Sequence, residues 1–302
     1  MSLKLRSLTG FWFMTASARA MAGTRIILGL ALLYDALSYL PERHAMFGEG
    51  GVFGPAGSER SFPTLLKFFG ISGDVFALSP IGLDFVYALF ICGILLFTLG
   101  SLYRVSAFTV WIILNYFTLR NYLVFDSGHN LAANLMFFMI FVPADRVASV
   151  GAYLKTRSFK NLWQEQLIKN AWAVRAMQFQ MSILYFSTFI YKLDGPNWRA
   201  GTAVYYATRL PPYFRTQFEF LVSSGILINL ATYGTLIIEG VLAVLIWIPR
   251  LRYWLLALAI CFHLALEATM VINIFQWVMV AGLLSFIEGR KTKSSSCVNS
   301  GQ

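Results

Sequence analysis

About eight apolar stretches, long enough to count as candidate spans, divide this chain at approximately 21–40, 80–100, 104–119, 130–144, 171–191, 226–248, 253–271 and 273–288. Polar segments punctuated by glycine and proline separate them. At a 1.5 Å rise per residue, about 20 apolar residues in a helix cross the roughly 30 Å of bilayer hydrocarbon. The fold class this predicts is all-α, a polytopic transmembrane helix bundle of about eight spans. The first stretch reads as a span rather than a cleaved signal, because no small-residue cleavage site follows Leu40 and the chain turns at Pro41.

Composition agrees with the pattern. Of the 302 residues, 58% are hydrophobic and 13% charged, with a mean hydropathy of +0.64; soluble domains carry roughly a quarter charged residues. The net charge of +10 changes the picture only through its placement. Lys4, Arg6 and Arg19 lie at the amino-terminal end. Arg146, Lys155, Arg157, Lys160 and Lys169, set against Asp145 and Glu165, lie between the fourth and fifth stretches. Arg250 and Arg252 join the sixth to the seventh, and Arg290, Lys291 and Lys293 follow the last. Alternation across the spans puts all these clusters on one side, which the positive-inside bias makes cytoplasmic, with both termini there. The charge is a topology signal, so the partner it implies is the lipid bilayer of the cytoplasmic membrane, and no nucleic acid is expected. Segments 41–79, 120–129 and 192–225 then face outward. One transmembrane domain over 1–290 and a flexible tail over 291–302 are expected.

Cys92, Cys261 and Cys297 form no Cys-x-x-Cys, which argues against a membrane thiol oxidoreductase, since that chemistry needs two exchanging sulfurs close together. His44, His129 and His263 lie in separate segments, and no metal is expected, because sites of three or four ligands need convergence. No internal repeat favours a transporter.

The candidate chemistry lies at span ends. The segment Pro41 to Pro55 carries Gly48-Glu49-Gly50-Gly51 without a following Gly-Lys-Ser/Thr, so a loop capping the bundle and a lid over an outward site are both open, and a phosphate cradle is not expected. The run Arg120-Asn121 through His129-Asn130 offers Asp126 or Ser127 as a helix cap, with His129 not explained by capping. Lys192 stands where an apolar helix meets the polar turn Asp194-Gly195-Pro196-Asn197-Trp198. It either snorkels to the headgroups among Trp198, Tyr205 and Tyr206, or acts as a base, since desolvation disfavours an ammonium and a neutral amine is basic. Asp194 opposes the neutral form if its carboxylate lies close. His263 and Glu267 are four apart, share a helix face and are placed to hydrogen-bond. Glu239, inside the sixth stretch, has to pair, protonate or face a cavity.

Taken together, Arg25 to Gly29, Gly48 to Gly51, Asn121 to Pro143, Lys192-Leu193-Asp194 followed by Trp198 and Gly201, and Phe262-His263 followed by Phe275 to Ala281 resemble the HTTM proteins, bacterial transmembrane relatives of vitamin K-dependent gamma-carboxylase. The resemblance covers nearly the whole chain, and the Lys-Leu-Asp…Trp…Gly element is its most specific part. It implies Lys192 as the base that deprotonates reduced vitamin K or menaquinone, and His129 as the residue handling later proton transfer. His263, Asn130, Arg120, Asp194, Trp198, Tyr205 and Glu267 are the candidate substrate- or cofactor-binding residues. In the chemistry so implied, oxygen converts the quinol anion to a strong base, a glutamate γ-proton is removed, carbon dioxide adds and the quinone leaves as its epoxide. A secreted peptide or protein would be the substrate. Full carboxylases carry a large non-cytoplasmic carboxy-terminal region, and this sequence ends soon after Glu288, so a soluble companion subunit is expected. A second short subgroup of the family matures sporulation-delaying peptide toxins, and a maturation scaffold, catalytic or not, is the alternative.

Overall fold

The computed structural model describes residues 8–52, 78–121, 123–124, 126–213, 215, 219 and 223–289. The stretch from Phe53 to Pro55, the basic residues Lys4 and Arg6, and the tail 291–302 with Cys297 lie outside the described residues.

A short helix α1 (Leu8–Trp12) and strand β1 (Ala16–Ser17) lead into α2 (Ala18–Tyr39), then α3 (Arg43–Phe47), α4 (Pro80–Leu99), α5 (Tyr103–Arg120) and α6 (Ser127–Phe141). There follow α7 (Val150–Thr156), β2 (Leu167–Ile168), α8 (Trp172–Asp194), α9 (Pro196–Arg199), α10 (Ala203–Ala207), α11 (Gly225–Leu245), α12 (Pro249–Thr269) and α13 (Phe275–Leu283). Each apolar stretch of the sequence has become a helix. Four of them, α2, α4, α11 and α12, are long and apolar enough to cross a membrane on their own, which makes this a helical membrane protein. Charged residues dilute α5 and α8, α6 has 15 residues, and α13 reaches 12 residues only with its terminal 3₁₀ turn.

Local signals set the ends. The Ser79 hydroxyl accepts from the Gly82 N–H at 3.2 Å and Pro80 opens α4, a start in which proline gives up an N–H that had no partner anyway. Gly100 closes α4 at φ +65°, where a side chain is disfavoured. Ser17 caps α2 by accepting from the Ala20 N–H at 3.1 Å, and its hydroxyl donates to Glu165 at 2.8 Å. The all-α expectation holds, with one two-residue ladder beside the helices. β1 and β2 pair antiparallel, Ala16 with Ile168 and Ser17 with Leu167, because the backbone groups just ahead of α2 and α8 need partners.

α2 is the hub, packed on α4 and α13, while α5 lies between α4 and α6 and α8 lies along α11. Arg25 of α2 is fully buried and donates to the carbonyls of Thr98 at 3.2 Å, Ala144 at 2.5 Å and Ala148. It thereby ties the end of α4 to the connection after α6. At that end the basic segments gather: Arg19 pairs with Glu165 at 3.1 Å, and Arg252 pairs with Glu288.

Candidate functional site

Helices α8 to α13 line a partly open cavity of about 570 Å³ with a predominantly apolar wall that includes Leu184, Phe262, Leu266, Phe275 and Met279. Four threonines on the wall, Thr188, Thr208, Thr235 and Thr269, turn their hydroxyls to carbonyls of their own helices, and two further groups of polar side chains interrupt it. In the last turn of α8, Lys192 ion-pairs through Nζ with Oε1 of Glu239, at mid-length in α11, and lies 4.8 Å from the centroid of the Trp198 ring. The side chains are 24% and 8% exposed. The second oxygen of Glu239, Oε2, is buried and has no hydrogen-bond partner among the described residues. The neighbouring Gly240 explains how α8 and α11 come this close: a Cβ there would sit 3.2 Å from the Phe189 ring of α8.

The second group is a chain. The Tyr185 hydroxyl lies 2.8 Å from His263 Nε2, and His263 Nδ1 lies 2.6 Å from Gln276 Oε1. A carbonyl oxygen only accepts, so Nδ1 carries the proton and Nε2 accepts from the tyrosine. The Gln276 amide nitrogen is buried and without a partner among the described residues. Glu239 and Gln276 both line the cavity, and each carries one buried polar atom without a partner among the described residues, an acceptor on Glu239 and a donor on Gln276.

His129 is elsewhere. It is fully buried at the start of α6, with Nε2 3.0 Å from Asp35 of α2 and Nδ1 3.1 Å from Asp126. Capping, which seemed to leave His129 over, includes it. Asp126 accepts from the N–H groups of Gly128 at 2.7 Å and His129 at 3.3 Å, and from His129 Nδ1 at 3.1 Å when that nitrogen is protonated; when it is not, the Asp126 N–H donates to it at 3.2 Å. This is a reciprocal capping box in which histidine fills the place usually held by Glu or Gln. The Asp126 carboxyl is held below its ordinary value: burial opposes this, and the bonds from the His129 ring and the two N–H groups outweigh it. Asp126 also accepts from Asn273 at 3.0 Å, and Gly128 packs on the Phe275 backbone, where a Cβ would meet Cα at 2.9 Å. His129 thus stands behind the wall that Phe275 presents to the cavity and does not line it.

The other predicted site residues divide. Trp198 lines the cavity. Asp194 is 84% exposed and pairs with Arg199 at 3.0 Å, so the carboxylate near Lys192 is that of Glu239. Tyr205 does not line the cavity and holds Arg209, whose guanidinium lies 4.2 Å from its ring centroid. Arg120 is fully buried and donates to the Gly48 carbonyl at 2.5 Å, and Asn121 donates to Met46 at 2.9 Å. Together they fasten the glycine-rich segment to the bundle, with Phe47 packed 4.7 Å from Phe117. Asn130 is exposed on α6. The expected His263–Glu267 hydrogen bond is corrected: both ring nitrogens are already engaged, and Glu267 pairs with Arg215 at 2.9 Å. Tyr185, Gln276 and Asp35 were missed. A polar residue within an apolar run marks the last two, whereas nothing local marks Tyr185.

Residues 13–289 match the HTTM domain family, and the chain belongs to it. Membership relates it to the vitamin K-dependent carboxylase-like membrane proteins. The chain is also similar to "Uncharacterized protein YitO" of Bacillus subtilis (strain 168), 23% identical over 196 residues, 63% of this chain and 62% of that protein. The matched part thus spans less than two thirds of that relative's length. No solved structure matches the chain.

Proposed function

We propose that this protein is a cytoplasmic-membrane enzyme that binds a reduced quinone, such as vitamin K hydroquinone or menaquinol, in the α8–α13 cavity and deprotonates it through Lys192. The observation that carries the proposal is the pairing of an apolar chamber with two buried, unsatisfied polar atoms of opposite kind, Glu239 Oε2 and Gln276 Nε2. A flat apolar ring bearing one hydroxyl to donate and one oxygen to accept satisfies both, and buried polar groups are otherwise rarely left unpaired. Glu239 and Lys192 would hold the hydroxyl end, Gln276 the far oxygen, and Trp198 and Phe275 the ring. Bound there with oxygen and carbon dioxide, the quinol would supply the strong base needed for carboxylation-type chemistry on a peptide. The hydroxyl that donates to Glu239 Oε2 at rest turns to Nζ once Lys192 has released a proton, and Nζ takes it. The Tyr185–His263–Gln276 chain fixes the amide, and the apolar wall excludes water, which strengthens each polar contact. His129, one wall behind, sets the start of α6 against α13 through Asp126 and Asn273 and acts on the cavity through Phe275.

In this proposal the helices form eight spans with both termini cytoplasmic. The basic end with Arg19, Arg252 and Glu288 faces the cytoplasm, and the Lys192 end faces outward, toward a secreted peptide or a companion subunit. Epoxidation of reduced vitamin K and menaquinol in oxygen, by the purified protein in nanodiscs, tests it. Wild type should form epoxide, and both K192M and the charge-balanced K192M/E239Q should not. Absence of epoxide from folded wild type with both quinols and added peptide would leave a peptide-maturation scaffold as the better account.

A further inference from the structure

We propose that Glu239 is where the ligand's proton comes to rest, with Lys192 passing it on, so that the two side chains act as one proton-accepting unit. This rests on the quinol proposal above and adds a catalytic residue to it. In the structure Lys192 donates to Oε1 of Glu239 inside a cavity walled by hydrocarbon. There an ammonium and a carboxylate neutralise each other, whereas either alone is a buried unpaired charge. An ammonium already holds three protons, so Lys192 accepts one only as it releases another, and its donor bond points at Glu239.

The charges decide the endpoint. At rest the cavity holds one cation, Lys192, and one anion, Glu239. The N–H directed at Glu239 breaks first and an O–H bond forms on its carboxyl, which frees a lone pair on Nζ; the ligand O–H bond then breaks and a new N–H bond forms at Lys192. No electrons are transferred and no oxidant is needed. The cavity again holds one cation and one anion in contact, now Lys192 and the ligand oxygen. If the proton stopped at a lysine left neutral at rest, Glu239 would face the deprotonated ligand as a second anion without compensation. The other polar groups of the cavity do not compete: the Tyr185 hydroxyl and both His263 nitrogens are engaged with one another and with Gln276, the threonine hydroxyls donate to carbonyls of their own helices, and the Gln276 amide does not titrate. The unpartnered Oε2 of Glu239 leaves the carboxyl a further contact to the ligand.

The test uses full-length protein in nanodiscs and reduced vitamin K, first without oxygen. The infrared difference spectrum on quinol binding should show a protonated carboxylic-acid carbonyl band that shifts in deuterium oxide. E239Q should lose that band while still binding quinol, followed by quenching of tryptophan fluorescence. With oxygen admitted, epoxide formation by E239Q should fall about 100-fold or more, the range of general acid–base catalysis. Should E239Q misfold, K192M/E239Q, which leaves no charge in the cavity and keeps an amide oxygen at position 239 to accept from the ligand hydroxyl, should bind quinol more weakly and, at saturating quinol, lack the band. Persistence of the band in either variant, or wild-type epoxidation by E239Q, would overturn the assignment. Failure of folded wild type to bind quinol would overturn the quinol proposal itself, and this one with it.

Discussion

Replacing Lys192 by methionine keeps the side chain's length and removes its charge, leaving the Glu239 carboxylate, 8% exposed, facing an apolar cavity. Breaking a buried pair from one side destabilises by about 3–5 kcal/mol, because the remaining charge is uncompensated. The 24% exposure of Lys192 places this pair at the low end, so about 3 kcal/mol is expected for K192M. E239Q is milder, about 1 kcal/mol, since a lone lysine at a helix end swings its ammonium toward the headgroups and retains the Trp198 ring. Removing both charges at once should recover about 2 kcal/mol relative to K192M, the non-additivity that contacting residues show. The assay is unfolding by increasing SDS in mixed micelles, followed by tryptophan fluorescence for wild type, both single variants and the double variant. Wild-type stability in K192M, or a double variant whose loss equals the sum of the singles, would refute the pairing.

Four further outcomes are expected. Arg25→Ala strands the carbonyls of Thr98, Ala144 and Ala148 and should destabilise by about 3–5 kcal/mol, seen as loss of the monodisperse peak on size exclusion. Gly100→Ala places a Cβ 2.6 Å from Ser149 Cβ at φ +65° and should lose about 1–3 kcal/mol in the SDS titration. Gly234, where a Cβ meets nothing within 4 Å, should accept alanine with a gain of up to about 1 kcal/mol; Gly234→Phe should fill the cavity and abolish quinol binding with stability unchanged. Asp126 has a folded value below its unfolded one, so its contribution is fully present above the ordinary carboxyl range and is lost as pH falls through the folded value. Acid titration of stability should therefore steepen there in wild type and flatten in D126N, since asparagine still caps the helix.

The helices were legible in the sequence because their causes are local. Apolar runs of spanning length, Ser79-Pro80 ahead of α4, and Gly100 at its end act over a few residues, and each predicted run became a helix with ends shifted by a few positions. The exposure of Lys192 to an apolar environment and the need of Glu239 for a partner were also visible, since an ionisable group within hydrocarbon carries that implication wherever it sits. That these two needs answer each other, 47 residues apart, was decided by the packing of α8 on α11, which Gly240 permits. Spacing of four made His263 and Glu267 possible partners, yet spacing fixes only the shared face of one helix. Tyr185 and Gln276, brought by α8 and α13, took the imidazole first, and Arg215 took the carboxylate. The same distinction separates the two histidines: the sequence places His129 in the polar run just ahead of the fourth stretch and His263 inside the seventh, and only the packing of the bundle sends His263 into the cavity and His129 into a capping box between Asp35 and Asp126.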